Sequence, residues 1–197
     1  MPATLTPAFS LNQLRLELSV KAKNGLDFIL AAVVVWVAIA GVWLLPNSAG
    51  RNGFITFFVG ALTLPLARLL SKPLRTTWTL PHNPLQPLGL WLNFAQLFYF
   101  PLLVFVYMRY PQHFVMAYGI TTGAHFFPYA WFYRAPAFAI LAGVISAGCL
   151  VLGLCLGPGQ RYLIPAFVAA CLVVLAVLLG RAYRQNKVIY QLAAHGA

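Results

Sequence analysis

Four side chains able to hydrogen-bond or carry a proton recur along one apolar stretch: Tyr118, Thr122, His125 and Tyr129. Their spacings of four, three and four residues put them on one face of a helix. A second stretch carries Asn93 and Gln96, three residues apart and also on one face. Carboxamides both donate and accept, hydroxyls do either, and histidine changes its charge near neutrality. At about 1.5 Å of rise per residue, His125 lies roughly 13 Å inside from Arg134, and Gln96 roughly 12 Å inside from the same surface. Asn93 and Tyr129 share a shallower level, with Thr63 of a third stretch close by. The expectation is that Gln96 meets His125 and that Asn93 meets Tyr129.

Two readings of this seam stand side by side. Polar side chains bond across membrane helices simply to hold them together, at about 0.6 kcal/mol each. The other reading is a polar pocket lined by Asn93, Gln96, Tyr118, Thr122, His125, Tyr129 and Thr63, with His125 as ligand or proton carrier. Pro101 and Pro128 each remove a backbone donor and release a carbonyl that could face such a pocket; ordinary helix kinks account for them equally well.

Other chemistries lack residues. Glu17 and Asp27 are the only acids, and neither lies deep in an apolar stretch. Cation-coupled transport usually needs an embedded acid, so sodium symport is disfavoured, as is paired-carboxylate catalysis. His82, His113 and His195 fall outside the apolar stretches, which leaves no second histidine for a membrane haem. Zinc needs three or four ligands. No H-E-x-x-H, Gly-rich phosphate loop or nucleophile elbow occurs. Cys149, Cys155 and Cys171 fit no C-x-x-C spacing and read as packing residues. No catalytic residue, metal or cofactor is assigned, and the balance is against an enzyme.

The elements that must position the seam follow from composition. Of 197 residues, 61% are hydrophobic and 8% charged, against about 25% charged in soluble domains. Six apolar segments, 26–45, 52–70, 88–107, 114–133, 136–156 and 161–180, have about the length a membrane helix needs. Backbone hydrogen bonds must be satisfied internally in lipid. The expected fold is all-α: a polytopic membrane bundle of six transmembrane helices over 26–180, flanked by a basic N-terminal segment (1–25) and a basic tail (181–197).

The net charge of +11 gathers at helix ends, which argues against nucleic acid and for anionic lipid headgroups as partner. Arg15, Lys21, Lys23, Arg68, Lys72, Arg75, Arg134, Arg181, Arg184 and Lys187 fall on one side, and Arg51, Arg109 and Arg161 on the other. The positive-inside rule then places both termini in the cytoplasm. No cleavable signal peptide is expected, since the first apolar run is too long for one. Residues 8–23 could form an interfacial helix. The proline-rich stretch 71–87 reads as a linker with Trp78 resting on the membrane interface, and Tyr129, Trp131 and Tyr133 read as an aromatic belt. Residues 60–73 align with 123–136 at an offset of 63, which suggests duplicated hairpins, a device of transporters.

Four pieces, K-N-G-L-D-F-I-L-A (23–31), F-F-V-G-A-L-T-L-P-L-A (57–67), N-P-L-Q-P-L-G-L-W-L-N-F-A-Q-L-F-Y-F-P (83–101) and G-A-H-F-F-P-Y-A-W-F-Y (123–133), resemble a family of small bacterial six-span membrane proteins of unknown function. The resemblance covers about residues 20–160. It singles out Asn93, Gln96, Tyr99, Pro101, His125, Pro128, Tyr129, Trp131 and Tyr133 as family-type positions. The linker and the basic tail depart from it. It implies a bacterial inner-membrane bundle and supplies no activity.

The leading functional expectation is a small-molecule carrier or sensor with its pocket between the second, third and fourth spans. A chain this small favours a homodimer. The alternative is a non-catalytic accessory subunit packed against a membrane partner through small residues of the fifth span: Gly143, Ser146, Ala147 and Gly153.

Overall fold

The computed structural model describes residues 10–195. These residues are helical and contain no strand. The helices are α1 (Leu11–Lys21), α2 (Leu26–Leu44), α3 (Ala49–Ala61), α4 (Thr63–Leu74), α5 (Gln86–Ala95), α6 (Phe100–Arg109), α7 (Phe114–Phe132), α8 (Ala137–Cys155) and α9 (Leu163–His195). The stretches Lys23–Leu44, Ala49–Leu74, Gln86–Arg109, Ala137–Cys155 and Pro158–Ala193 are long and apolar enough to cross a membrane. The fourth expected span, 114–133, is the 19-residue α7, which is not among them. Its tyrosines, threonines and histidine dilute its apolarity, and its place inside the bundle accommodates them.

Two of the long stretches are broken where they meet α7. The second divides at Leu62, between α3 and α4. Pro65 there has no N–H to continue the ladder, and the Thr63 hydroxyl turns back to the Gly60 carbonyl at 2.8 Å. The third divides at a 3-10 segment, Gln96–Tyr99, between α5 and α6. Pro101 follows within the first turn of α6. The two blocks of the suggested repeat therefore differ in form: residues 60–73 straddle a break, while 123–136 run through one helix into its C-cap.

Glycine sets the closest packing. α7 and α8 are antiparallel and pack along their length. A Cβ on Gly119 would stand 2.5 Å from Cys149 Sγ, and one on Gly123 would stand 2.6 Å from Ser146 Oγ. Ser146 also donates to the Ile120 carbonyl, and Gly153 lies against Met116. Two of the four small residues offered as a partner stripe thus pack within the chain, whereas Gly143 and Ala147 are exposed. Cys149 and Cys171 are buried free thiols, and Cys155 is exposed. α5 has no buried residue; Trp91 on it, and Phe98 on the 3-10 segment that follows, face outward.

The end holding most of the cations is closed by polar bonds. α1 lies against α9 and buries Leu16, Leu18 and Ser19, so it packs on the bundle itself; residues 8 and 9 lie outside the described residues. Lys23, Asn24 and Gly25 all have positive φ, a conformation costly for residues with a Cβ. The turn is held by the buried Asn24, which accepts from Ser19 Oγ at 2.6 Å and donates to the Leu179 carbonyl at 3.1 Å. Asn186 of α9 donates to the same serine at 2.8 Å. Arg15 caps the carbonyl end of α7 by donating from Nε to Trp131 O at 2.7 Å, where a cation suits the helix dipole. Its guanidinium also lies over the Trp131 ring, 4.5 Å from the centroid. Burial, followed by repulsion from Arg134, lowers the Arg15 pKa from its ordinary value.

Residues 75–85 form a strap across this end, and both acids of the chain hold it. Asp27 Oδ2 accepts from Thr76 Oγ1 at 2.6 Å and from Trp78 Nε1 at 2.7 Å. Glu17 accepts from His82 Nε2 at 2.9 Å and from Asn83 Nδ2 at 2.8 Å. Trp78 stacks on Phe28 at 4.9 Å and carries Arg68 on its ring. Trp78, expected to rest on the membrane interface, is half-buried and docked on the bundle, since a buried carboxylate has to find donors.

Candidate functional site

A cavity of about 120 Å³ lies between α2 and α7. α7 lines it with Tyr118, Thr122, His125, Phe126 and Tyr129; α4 adds Thr63, α5 adds Asn93, and the 3-10 break after α5 adds Gln96. All seven side chains singled out by spacing therefore share one wall. Each of the two helix breaks delivers a polar residue there: Thr63 starts α4, and Gln96 starts the 3-10 segment.

The expected bond between Asn93 and Tyr129 is present. The Tyr129 hydroxyl donates to Asn93 Oδ1 at 3.1 Å, while Asn93 Nδ2 is fixed on its own helix by the Gly89 carbonyl at 3.0 Å. Gly89 brings α5 close to α7, since a Cβ there would stand 2.9 Å from the Phe132 ring. The Tyr129 oxygen also lies 3.4 Å from His125 Nε2. With its proton given to Asn93, that oxygen is left to accept, which matches the Nε2–H tautomer of His125. Thr122 donates back to the Tyr118 carbonyl at 2.8 Å, so its hydroxyl is spent locally.

The expected bond between Gln96 and His125 is not formed. Both face the cavity, yet among the described residues no hydrogen bond joins them. The Gln96 carboxamide and the Tyr118 hydroxyl have no side-chain or backbone partner among the described residues. Neither is sealed away, because no fully enclosed side-chain nitrogen or oxygen lacks a bond. Both therefore present free hydrogen-bonding capacity to the cavity.

The sequence reading missed much of the wall. Gly25, Phe28, Ile29, Ala32 and Trp36 come from the α2 region, and Phe138 from α8. The cavity is thus centred on the first and fourth expected spans, with the second and third at its rim. Tyr133, assigned from sequence to an aromatic belt, lines the cavity instead and stacks on Tyr129 at 6.0 Å. Trp36 stacks on Tyr118 at 5.2 Å. The spacing of Phe28, Ala32 and Trp36 is that of one helical face, but apolar residues on a membrane helix carry no sign of whether that face meets lipid, core or cavity.

Among the described residues, no Asp, Glu, Lys or Arg lines the cavity, and no three His, Cys, Asp or Glu side chains gather as metal ligands would. The arrangement is suited to hydrogen bonding in an aromatic enclosure. The apolar helices are those of an integral membrane protein. No curated protein and no protein of solved structure matches the sequence. A family model matches residues 11–182, and by it the chain belongs to a family of unknown function, DUF7010.

Proposed function

We propose that this protein is a six-span bundle of the bacterial inner membrane, with both termini in the cytoplasm, and that its cavity is the binding site of a small-molecule carrier or sensor. The observation that supports binding is the pair of unspent polar groups, Gln96 and Tyr118, facing a cavity set against two helix breaks. Glue between helices would have used those groups on each other. Broken helices beside a polar cavity are also how many transporters build a site within the membrane. The cationic end would rest against anionic headgroups, and two copies would form a dimer.

The test is a solute screen on the purified chain in detergent, read by melting temperature, with Gln96→Ala and His125→Ala alongside. A solute that raises the parent's melting temperature, with the rise lost in variants that melt like the parent, supports the reading. Variants that melt early while no solute shifts the parent would return the seam to structural glue.

A further inference from the structure

We infer that the cavity takes a small uncharged solute that both donates and accepts hydrogen bonds, of the amide or urea class. The inference rests on the binding reading above and names its ligand chemistry.

Charge is the first criterion. Among the described residues no Asp, Glu, Lys or Arg lines the cavity, and moving an ion out of water with no partner is prohibitively costly. Aromatic faces could replace a carboxylate for a cation, but here they cover one another. Trp36 is stacked on Tyr118 at 5.2 Å, Tyr133 on Tyr129 at 6.0 Å, and Tyr133 also on Phe138 at 6.1 Å. An anion would need several converging donors. Thr63, Thr122 and Tyr129 already give theirs to Gly60, Tyr118 and Asn93 respectively, and Asn93 has given one of its two N–H groups to Gly89.

What remains free sets the second criterion. Gln96 offers one acceptor and two donors, and the Tyr118 hydroxyl offers one of each. A planar amide complements a carboxamide by exchanging N–H and C=O with it, and its flat face suits the aromatic walls. Size is the third criterion. A cavity of about 150 Å³ holds benzene, so about 120 Å³ fits a solute of slightly fewer heavy atoms.

The experiment uses matched pairs that differ mainly in charge: acetamide against acetate, and N-methylurea against methylguanidinium. Binding to the full chain in detergent is read by saturation-transfer NMR, with Gln96→Leu and Tyr118→Phe in the same detergent. Tyr118→Phe keeps the stack on Trp36 and removes only the hydroxyl. The expected result is binding of both neutral members, weakened about tenfold by Gln96→Leu and measurably by Tyr118→Phe, and none of the charged members. If acetate or methylguanidinium binds as well as its neutral twin and with the same dependence on Gln96, the solute class is overturned and the cavity reading stands. Binding of none of the four also overturns the solute class; the wider melting-temperature screen then decides the cavity reading separately.

Discussion

Asp27 Oδ2 receives two donors from a segment some fifty residues away, Thr76 Oγ1 at 2.6 Å and Trp78 Nε1 at 2.7 Å. The carboxylate is buried at the start of α2, between the cavity-lining Gly25 and Phe28 in the chain. Phe28, its neighbour, lines the cavity and carries Trp78 on its ring. The strap and the cavity thus share a residue. Trp78→Phe keeps the stack and removes one donor to a buried charge. It should cost about 1.5–3 kcal/mol, seen as an earlier thermal unfolding in detergent. A variant as stable as the parent would mean that the indole N–H contributes nothing.

Tyr129 and Asn93 form the one side-chain bond between α7 and α5 described above. A double-mutant cycle of Tyr129→Phe and Asn93→Ala should show a coupling of about 0.6 kcal/mol, the usual worth of such a bond between membrane helices. Strict additivity of the two losses would show that the bond does not form in the membrane.

Gly60 is the backstop of Tyr118. A Cβ at Gly60 would stand 2.3 Å from the Tyr118 hydroxyl. Gly60→Ala must push that phenol into the cavity or aside, while the helix itself gains from alanine. The expected phenotype is loss of amide binding with little change in melting temperature. Unaltered binding would show that the hydroxyl has no part in recognition.

The α7–α8 interface should be intolerant where the outward face of α8 is not. Gly119→Ala brings a Cβ to 2.5 Å from Cys149 Sγ, an overpacking worth about 1–3 kcal/mol. Gly143→Ala meets nothing within 4 Å and should melt like the parent. Equal melting temperatures for the two would contradict the helix pairing.

Sidedness follows from the same packing. The strap and the α7–α8 turn lie at one end, joined through Arg15 and Trp131, and the α8–α9 turn at Gly157 lies at the other. In a cysteine-free background, Thr77→Cys should react with an impermeant thiol reagent only from the side that carries α1, and Gly157→Cys only from the opposite side. Labelling of both from one side would break the bundle topology.

What could be read from sequence was set by which residues leave a trace there. The polar face of α7 was legible because hydroxyls and imidazole are rare in apolar helices, so their spacing stands out. The Asn93–Tyr129 level was legible because that part of α5 keeps α-helical rise. Gln96 was legible as a cavity residue, but its partner was not, because equal depth on two helices does not fix which way a long side chain turns. The α2 wall was illegible because Phe28, Ala32 and Trp36 look the same whether they face lipid or a void. The docking of the strap was hidden for another reason. His82, Asn83, Thr76 and Trp78 are ordinary linker residues until the fold brings Glu17 and Asp27 to them.

The strap has one more effect, on how the molecule is oriented. With both carboxylates turned inward to hold it, the ten lysines and arginines at that end form no ion pair among the described residues; the one ion pair there joins Glu17 to His82. Each such cation costs about 2.5–3.5 kcal/mol to carry through the middle of a bilayer. Once the helices are laid down, an inverted copy is out of thermal reach, and the molecule's handedness in the membrane is fixed at synthesis for its lifetime.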